Sequence, residues 1–218
     1  MKITLSDAGK RFNREWIFRH INYSFESGIQ YAITGPNGSG KSTLLQVIAG
    51  MIDSSEGNIE MTVHSSQSTE KNHLSSVNHH LSTNFYQHLS FCAPYFDLIE
   101  EMTLTEFLNF HFQFKSLLPG FTVEKIIEVM GLEKAAQKQI RYFSSGMKQR
   151  VKLAQAIFAN VPVVLLDEPC TNLDEDGTNL YQQLIADYCA SRLVIVSSND
   201  KQEYGFCKEV LRIGDYKE

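Results

Sequence analysis

The 218-residue sequence lacks a long apolar run, a surplus of positive charge and any close cysteine pair. Its longest apolar runs, residues 161–166 with Pro162 inside and residues 193–196, fall far short of the ~20 residues that a membrane-spanning helix needs. With 20 Lys+Arg against 25 Asp+Glu the formal net charge is -5, which removes the general electrostatic reason to bind DNA or RNA. The four cysteines, Cys92, Cys170, Cys189 and Cys207, show no C-x-x-C spacing, so neither a zinc site nor a redox pair is indicated. The opening Met1-Lys2-Ile3-Thr4-Leu5-Ser6-Asp7 has no apolar signal segment, and the expected location is the cytoplasm. No internal repeat with a period of roughly 20–50 residues is visible. What remains is 43% hydrophobic and 21% charged, the balance of a soluble globular chain long enough for one sizeable domain, or a core with a small appended subdomain.

Strand-like stretches over 16–25, 29–34, 58–63, 89–92, 161–166, 193–197 and 209–213 interleave with helical patterns over 41–49, 145–159 and 176–190, which is an α/β signature. The continuous run Val163-Val164-Leu165-Leu166 suits a strand covered on both faces, as in a parallel sheet. Residues 1–25 alternate more and read as an antiparallel edge or flap. Between residues 96 and 132 the period becomes helical: Leu104, Phe107, Leu108 and His111 share one face, then Val123, Ile126, Ile127 and Met130 another, predicting a helical insertion. Residues 64–88 are rich in Ser, Asn and His and read as a long polar connection or distorted arm. Their histidines, His64, His73, His79, His80 and His88, fit no zinc spacing and are expected to be solvated.

The strongest chemical feature is Gly35-Pro36-Asn37-Gly38-Ser39-Gly40-Lys41-Ser42-Thr43, placed after a strand and before a helix, which matches G-x-x-x-x-G-K-[ST]. Glycines allow a backbone to turn its N–H groups around phosphate oxygens, and the following helix adds the positive end of its dipole. Lys41 would neutralise β/γ-phosphate charge and the Ser42 hydroxyl would ligate Mg²⁺. The second feature is Val163-Val164-Leu165-Leu166-Asp167-Glu168-Pro169, a buried strand delivering two carboxylates to the edge where open α/β sheets place ligands. Asp167 suits Mg²⁺, and Glu168 suits orienting and polarising a water. The third, Phe143-Ser144-Ser145-Gly146-Met147-Lys148-Gln149-Arg150, opens a helix with Ser144 as its cap.

Taken together, these motifs resemble the nucleotide-binding subunit of an ATP-binding cassette (ABC) transporter over nearly the whole chain. The family's Walker A motif falls on Gly35 to Thr43, its Walker B strand on Val163 to Glu168, its signature on Phe143 to Met147, and its D-loop on Thr171-Asn172-Leu173-Asp174. The resemblance implies a P-loop NTPase core with a mostly parallel sheet, an N-terminal antiparallel β subdomain and an inserted helical subdomain. It divides the chain into a core at 1–94 and 159–218 and a helical part at 95–158. It implies ATP and Mg²⁺ as ligands, an ATPase reaction, Phe12 as the adenine-stacking aromatic with Trp16 as its neighbour, and no nucleic-acid partner. It further implies a second nucleotide-binding subunit, identical or not, closing head-to-tail so that Ser144, Gly146 and Asp174 meet the nucleotide held by the other copy. The remaining implied partner is a membrane-spanning subunit that keeps this chain, itself not inserted, at the inner face of the membrane. The Phe-rich stretch from Phe107 to Phe114 adjoins the region where the family receives that subunit; Phe110, Phe112 and Phe114 cannot all share one helical face with Phe107.

Two positions depart from the family pattern. Pro94 stands where the Q-loop glutamine is expected, with Gln87 as a possible substitute, and Asn199 stands where the switch histidine is expected. Proline offers no side-chain hydrogen bond, and asparagine cannot carry a proton near neutral pH. ATP binding with slow hydrolysis is the expectation, with Lys41, Glu168 and Asn199 as the catalytic set. A weakly hydrolysing, nucleotide-gated scaffold in a soluble complex is the alternative.

Overall fold

The computed structural model describes residues 1–62 and 85–217. Two long strands, β1 (Lys2–Phe12) and β2 (Glu15–Glu26), form an antiparallel hairpin. The chain continues through β3 (Gln30–Thr34), helix α1 (Lys41–Ile48) and β4 (Glu56–Thr62), which returns antiparallel to β1 and completes a three-stranded sheet of order β2-β1-β4. Residues 58–62 of the expected strand therefore belong to the antiparallel layer. The polar connection and His64, His73, His79 and His80 lie outside the described residues; His88 ends a short 3₁₀ turn, Phe85–His88, that leads into β5 (Leu89–Cys92).

After β5 come α2 (Leu104–His111), α3 (Val123–Val129) and α4 (Ser145–Ile157). The chain then alternates through β6 (Val163–Asp167), α5 (Glu175–Tyr188), β7 (Leu193–Ser197), α6 (Lys201–Tyr204) and β8 (Glu209–Arg212). The second sheet has the order β5-β6-β7-β3-β8, and every pairing in it is parallel. An all-parallel sheet needs both faces covered, and the strands comply: all five residues of β6 and of β7 are buried.

The pleat sorts side chains into two cores. Val164, Leu166, Val194 and Val196 join the helical layer with Phe107, Ile126, Val151 and Phe158. Val163, Leu165, Leu193 and Ile195 face the other way, against α1 and the antiparallel sheet through Leu44, Ile48, Ile3 and Phe25. The helices start where their caps dictate. Thr103 and Glu106 form a reciprocal capping box at α2, and the Thr122 and Ser144 hydroxyls accept from the Lys125 and Met147 N–H groups at α3 and α4. The Phe-rich stretch divides as its spacing requires: Phe107 is buried and Phe112 packs on the core, while Phe110 and Phe114 pair edge-on at 5.2 Å on the outside.

His111 ends α2 with its ring against Phe107 and Nε2 at 3.2 Å from the Gln155 carbonyl oxygen. Burial depresses its pKa below 6.5, the Gln155 bond opposing this and the charge of Lys115 adding to it. The unfolded chain therefore takes up this proton first, and stability is lost as pH falls through about 6.5. The thermal midpoint should drop between about pH 7.5 and about pH 5.5, and His111→Gln should flatten that slope; an unchanged slope would rule out the assignment.

Candidate nucleotide site

Strand β3 ends at Thr34 and the chain turns through Gly35 at φ +154° into a loop whose Ser39 N–H donates to the Pro36 carbonyl at 3.0 Å. Two glycines have no substitute here. A Cβ on Gly35 would meet Ile213 Cγ2 and Ser39 Oγ at 2.8 Å, and one on Gly40, at φ +101°, would meet Ile17 Cγ2 at 2.3 Å. Gly40 caps α1 without any side-chain hydrogen bond, so the first N–H groups of the helix face the loop unclaimed by a capping side chain. Lys41 is only 5% exposed, and its Nζ donates to the Gly35 carbonyl at 2.9 Å and the Pro36 carbonyl at 3.3 Å. A buried ammonium whose partners are neutral carbonyls is an electrostatic vacancy for an anion.

Two neighbouring strands supply the rest. In the register of β6 and β7, Asp167 lies opposite Ser197, and the Glu168 N–H donates to the Ser197 carbonyl at 2.9 Å. Asp167 is 1% exposed, and its Oδ1 has no hydrogen-bond partner; the buried hydroxyls of Ser39 and Ser197 are likewise unpartnered. Three orphaned oxygens at the ends of β6, β7 and the phosphate loop are costly unless a ligand completes them. The unpartnered Asp167 carboxylate oxygen is the kind of donor a hard divalent cation prefers, so this residue fits magnesium.

Asn199 bridges β7 to the loop. Its Oδ1 accepts from the Gly35 N–H at 3.3 Å and its Nδ2 donates to Asn37 Oδ1 at 2.9 Å. Glu168 sits in the left-handed region at φ +43°, a conformation stabilised by the Ser197 bond and by the Thr171 N–H donating to the Glu168 carbonyl at 3.1 Å. Glu168 and Asn199 line a common cleft of about 320 Å³ with Thr171, Ser198 and Glu203.

The signature residues form a separate cleft of about 680 Å³, lined by Ser144, Gly146, Met147, Arg150, Asn172 and Asp174 among others. None of Gly35 to Thr43 lines it. The Ser144 hydroxyl caps α4, Asp174 caps α5 by accepting from the Gly177 N–H at 2.8 Å, and Arg150 Nη2 lies 3.7 Å from Asp174 Oδ1. Gly146 approaches the Asn172 carbonyl so closely that a Cβ would stand 3.0 Å from it.

Phe12, at the tip of the β1–β2 hairpin, is 49% exposed with Lys10 Nζ 5.1 Å above its ring. Trp16 lies under Arg19 at 4.3 Å and Arg11 at 5.4 Å, so cations already occupy its neighbourhood. Gln87 precedes β5, at the end of the sheet opposite Asp167 and roughly 13 Å of strand away, so it does not substitute for the missing glutamine. Pro94 contributes only its carbonyl, which accepts from Lys152 Nζ at 2.6 Å.

Reasoning from sequence missed three residues. Ser197 is the single polar residue of an otherwise apolar strand, a signal that was available. Glu203, on α6, accepts from the Cys170 N–H at 2.6 Å and ties the turn after β6 to the segment after β7; burial raises its pKa, against bonds to Ser198 and Cys170. Tyr95 receives a hydrogen bond from Gln46 Nε2 at 3.0 Å. Burial pushes this phenol up to about 12, against the opposing Gln46 bond and helped by the charge of Asp167.

The sequence model of the ABC transporter family matches residues 18–171. Among curated proteins, the uncharacterized ABC transporter ATP-binding protein YybJ of Bacillus subtilis (strain 168) is 28% identical over 202 residues, covering 92% of this chain and 87% of that protein. The cytochrome c biogenesis ATP-binding export protein CcmA of Rhizobium johnstonii is 30% identical over 188 residues, covering 85% and 81%. Among solved structures, the dimeric ATP-binding cassette MJ0796 in a post-hydrolysis state bound to ADP and Pi superposes with a TM-score of 0.78 at 22% identity, covering 97% of this chain and 94% of that one. A bacterial Atm1-family ABC exporter with ATP bound gives 0.77 at 17% identity, covering 97% of this chain and 37% of that one. These structural likenesses speak for the fold, which is the P-loop NTPase arrangement of ABC cassettes. With a family match over residues 18–171 and relatives aligned along most of the sequence, the chain belongs to the ABC transporter family, as an ATP-binding subunit.

Proposed function

We propose that this chain binds ATP with magnesium through Gly35–Thr43, Asp167 and Glu168, and that it hydrolyses ATP slowly. The observation carrying the reading is a pair of incompletely met charged groups: a buried Lys41 that donates only to carbonyls, and the orphaned Oδ1 of Asp167. A polyphosphate tail satisfies the lysine and the loop glycines. Ser42 and Asp167 would hold the cation, which when bound neutralises β/γ-phosphate charge. Glu168 orients the attacking water, and Asn199, already bonded to the loop, reaches the γ-phosphate side without being able to carry a proton.

In this reading, residues 1–94 and 159–218 form the nucleotide-binding core and residues 95–158 the helical part. Ser144, Gly146 and Asp174 serve the nucleotide of a second subunit, because their cleft contains none of the phosphate-loop residues. Phe12, exposed on its hairpin, is the aromatic offered to adenine in this reading. Among the described residues no helix is long and apolar enough to cross a membrane. In this reading, coupling to transport runs through a membrane-spanning partner at the inner face of the membrane.

The direct test is calorimetry with ATP and magnesium: saturable heat from the intact chain, abolished by Lys41→Ala, supports the reading, and no heat overturns it. Turnover of the isolated chain should stay well below the ~10 per second of a median enzyme. A steady-state phosphate-release rate in the tens per second would refute slow hydrolysis.

A further inference from the structure

Strands β5 and β6 run parallel with Cys92 opposite Leu166, so the chain leaves β5 at the same sheet edge where Asp167 ends β6. Pro94 has no side-chain donor to offer there, but the next residue does. The Tyr95 hydroxyl accepts from Gln46 Nε2 at 3.0 Å. Gln46 lies one turn after Ser42 on α1, hence on the same helical face. Asp167 ends the neighbouring strand β6 at this same edge, near enough for its charge to raise the pKa of the phenol. Phe96 fixes the Tyr95 ring edge-on at 5.2 Å, and Phe96 in turn packs on the buried Phe91 at 5.3 Å. α1 and the segment after β5 thus meet at one phenol oxygen, at the sheet edge where β6 ends.

The hydrogen-bond inventory then fixes what the phenol can do. Gln46 uses the oxygen as an acceptor, which leaves the O–H available as a donor. Tyr95 is 46% exposed, so that donor remains accessible.

We propose that Tyr95, oriented by Gln46, is the positioning residue on the magnesium side of the nucleotide site, donating its hydroxyl to the oxygen shell of the cation held by Ser42 and Asp167. This rests on the ATP–magnesium reading given above. The shell oxygen can be water or phosphate; a neutral O–H donor serves either.

Calorimetry on the full chain, with ATP titrated once in excess magnesium and once in EDTA, separates the possibilities. Tyr95→Phe keeps the ring against Phe96 and deletes only the hydroxyl. It should weaken ATP binding roughly three- to tenfold in magnesium, the scale of one lost hydrogen bond, and leave the EDTA affinity unchanged. Gln46→Leu should shift the same magnesium-specific affinity in the same direction by a smaller factor, and it carries the test if Tyr95→Phe does not fold. Unchanged affinity in both conditions, or equal losses in both, overturns the role of Tyr95 while leaving ATP–magnesium binding standing. If the unsubstituted chain binds ATP no better with magnesium than with EDTA, both readings fall.

Discussion

Glu168→Gln is expected to reduce steady-state ATP hydrolysis by roughly 10²–10⁴-fold while leaving ATP binding in place. The backbone of Glu168 is held by the Ser197 carbonyl and by the Thr171 N–H, not by its own side chain. Glutamine is nearly isosteric, so the strained φ of +43° and the edge of β6 should persist. What disappears is a carboxylate able to accept a proton, the role proposed for it. If closure of two subunits is driven by ATP and reopening by hydrolysis, the variant should accumulate as an ATP-bound dimer. Sedimentation in saturating ATP with magnesium checks this, and a monomeric variant under those conditions would contradict the head-to-tail arrangement.

Gly40→Ala should cost about 2–4 kcal/mol of stability and at least roughly tenfold in ATP affinity. Two independent penalties coincide at this residue: a left-handed φ of +101° and a Cβ only 2.3 Å from Ile17 Cγ2. Ile17 belongs to β2, so relief requires the antiparallel layer to move away from the start of α1. Urea unfolding monitored alongside calorimetry tests both halves. Gly38→Ala is the internal control: its φ is also positive at +73°, but a Cβ there meets nothing within 4 Å, so it should cost clearly less.

The sequence made the α/β alternation, the glycine loop with Lys41 and the acidic end of β6 legible because each is a local pattern: a period, a loop of fixed length, a charged residue ending an apolar run. The antiparallel layer was only partly legible. Strand β1 pairs with register shifts between Leu5 and Ala8, Ala8 and Lys10, and Lys10 and Arg11, which break the period-2 pattern that would have marked it. Asp7 at φ +52° and its 2.7 Å contact with His20 belong to that irregularity. Tyr95 and Gln46 are 49 positions apart, and their meeting at the edge where β6 ends depends on a four-residue strand aligning with β6, which no local pattern encodes. Gln87 illustrates the converse: near in sequence to the expected glutamine, it emerges at the wrong end of β5.

The all-parallel sheet separates two sets of side chains, Val164, Leu166, Val194 and Val196 on one face and Val163, Leu165, Leu193 and Ile195 on the other. Substitutions in the helical layer are therefore screened from α1 and its loop by a rigid partition one strand thick. Such a chain is free to diversify the surface it offers to different assemblies while its phosphate-holding half drifts hardly at all, and libraries randomised at α2 and α3 should yield many more nucleotide-competent variants than libraries of equal size at α1.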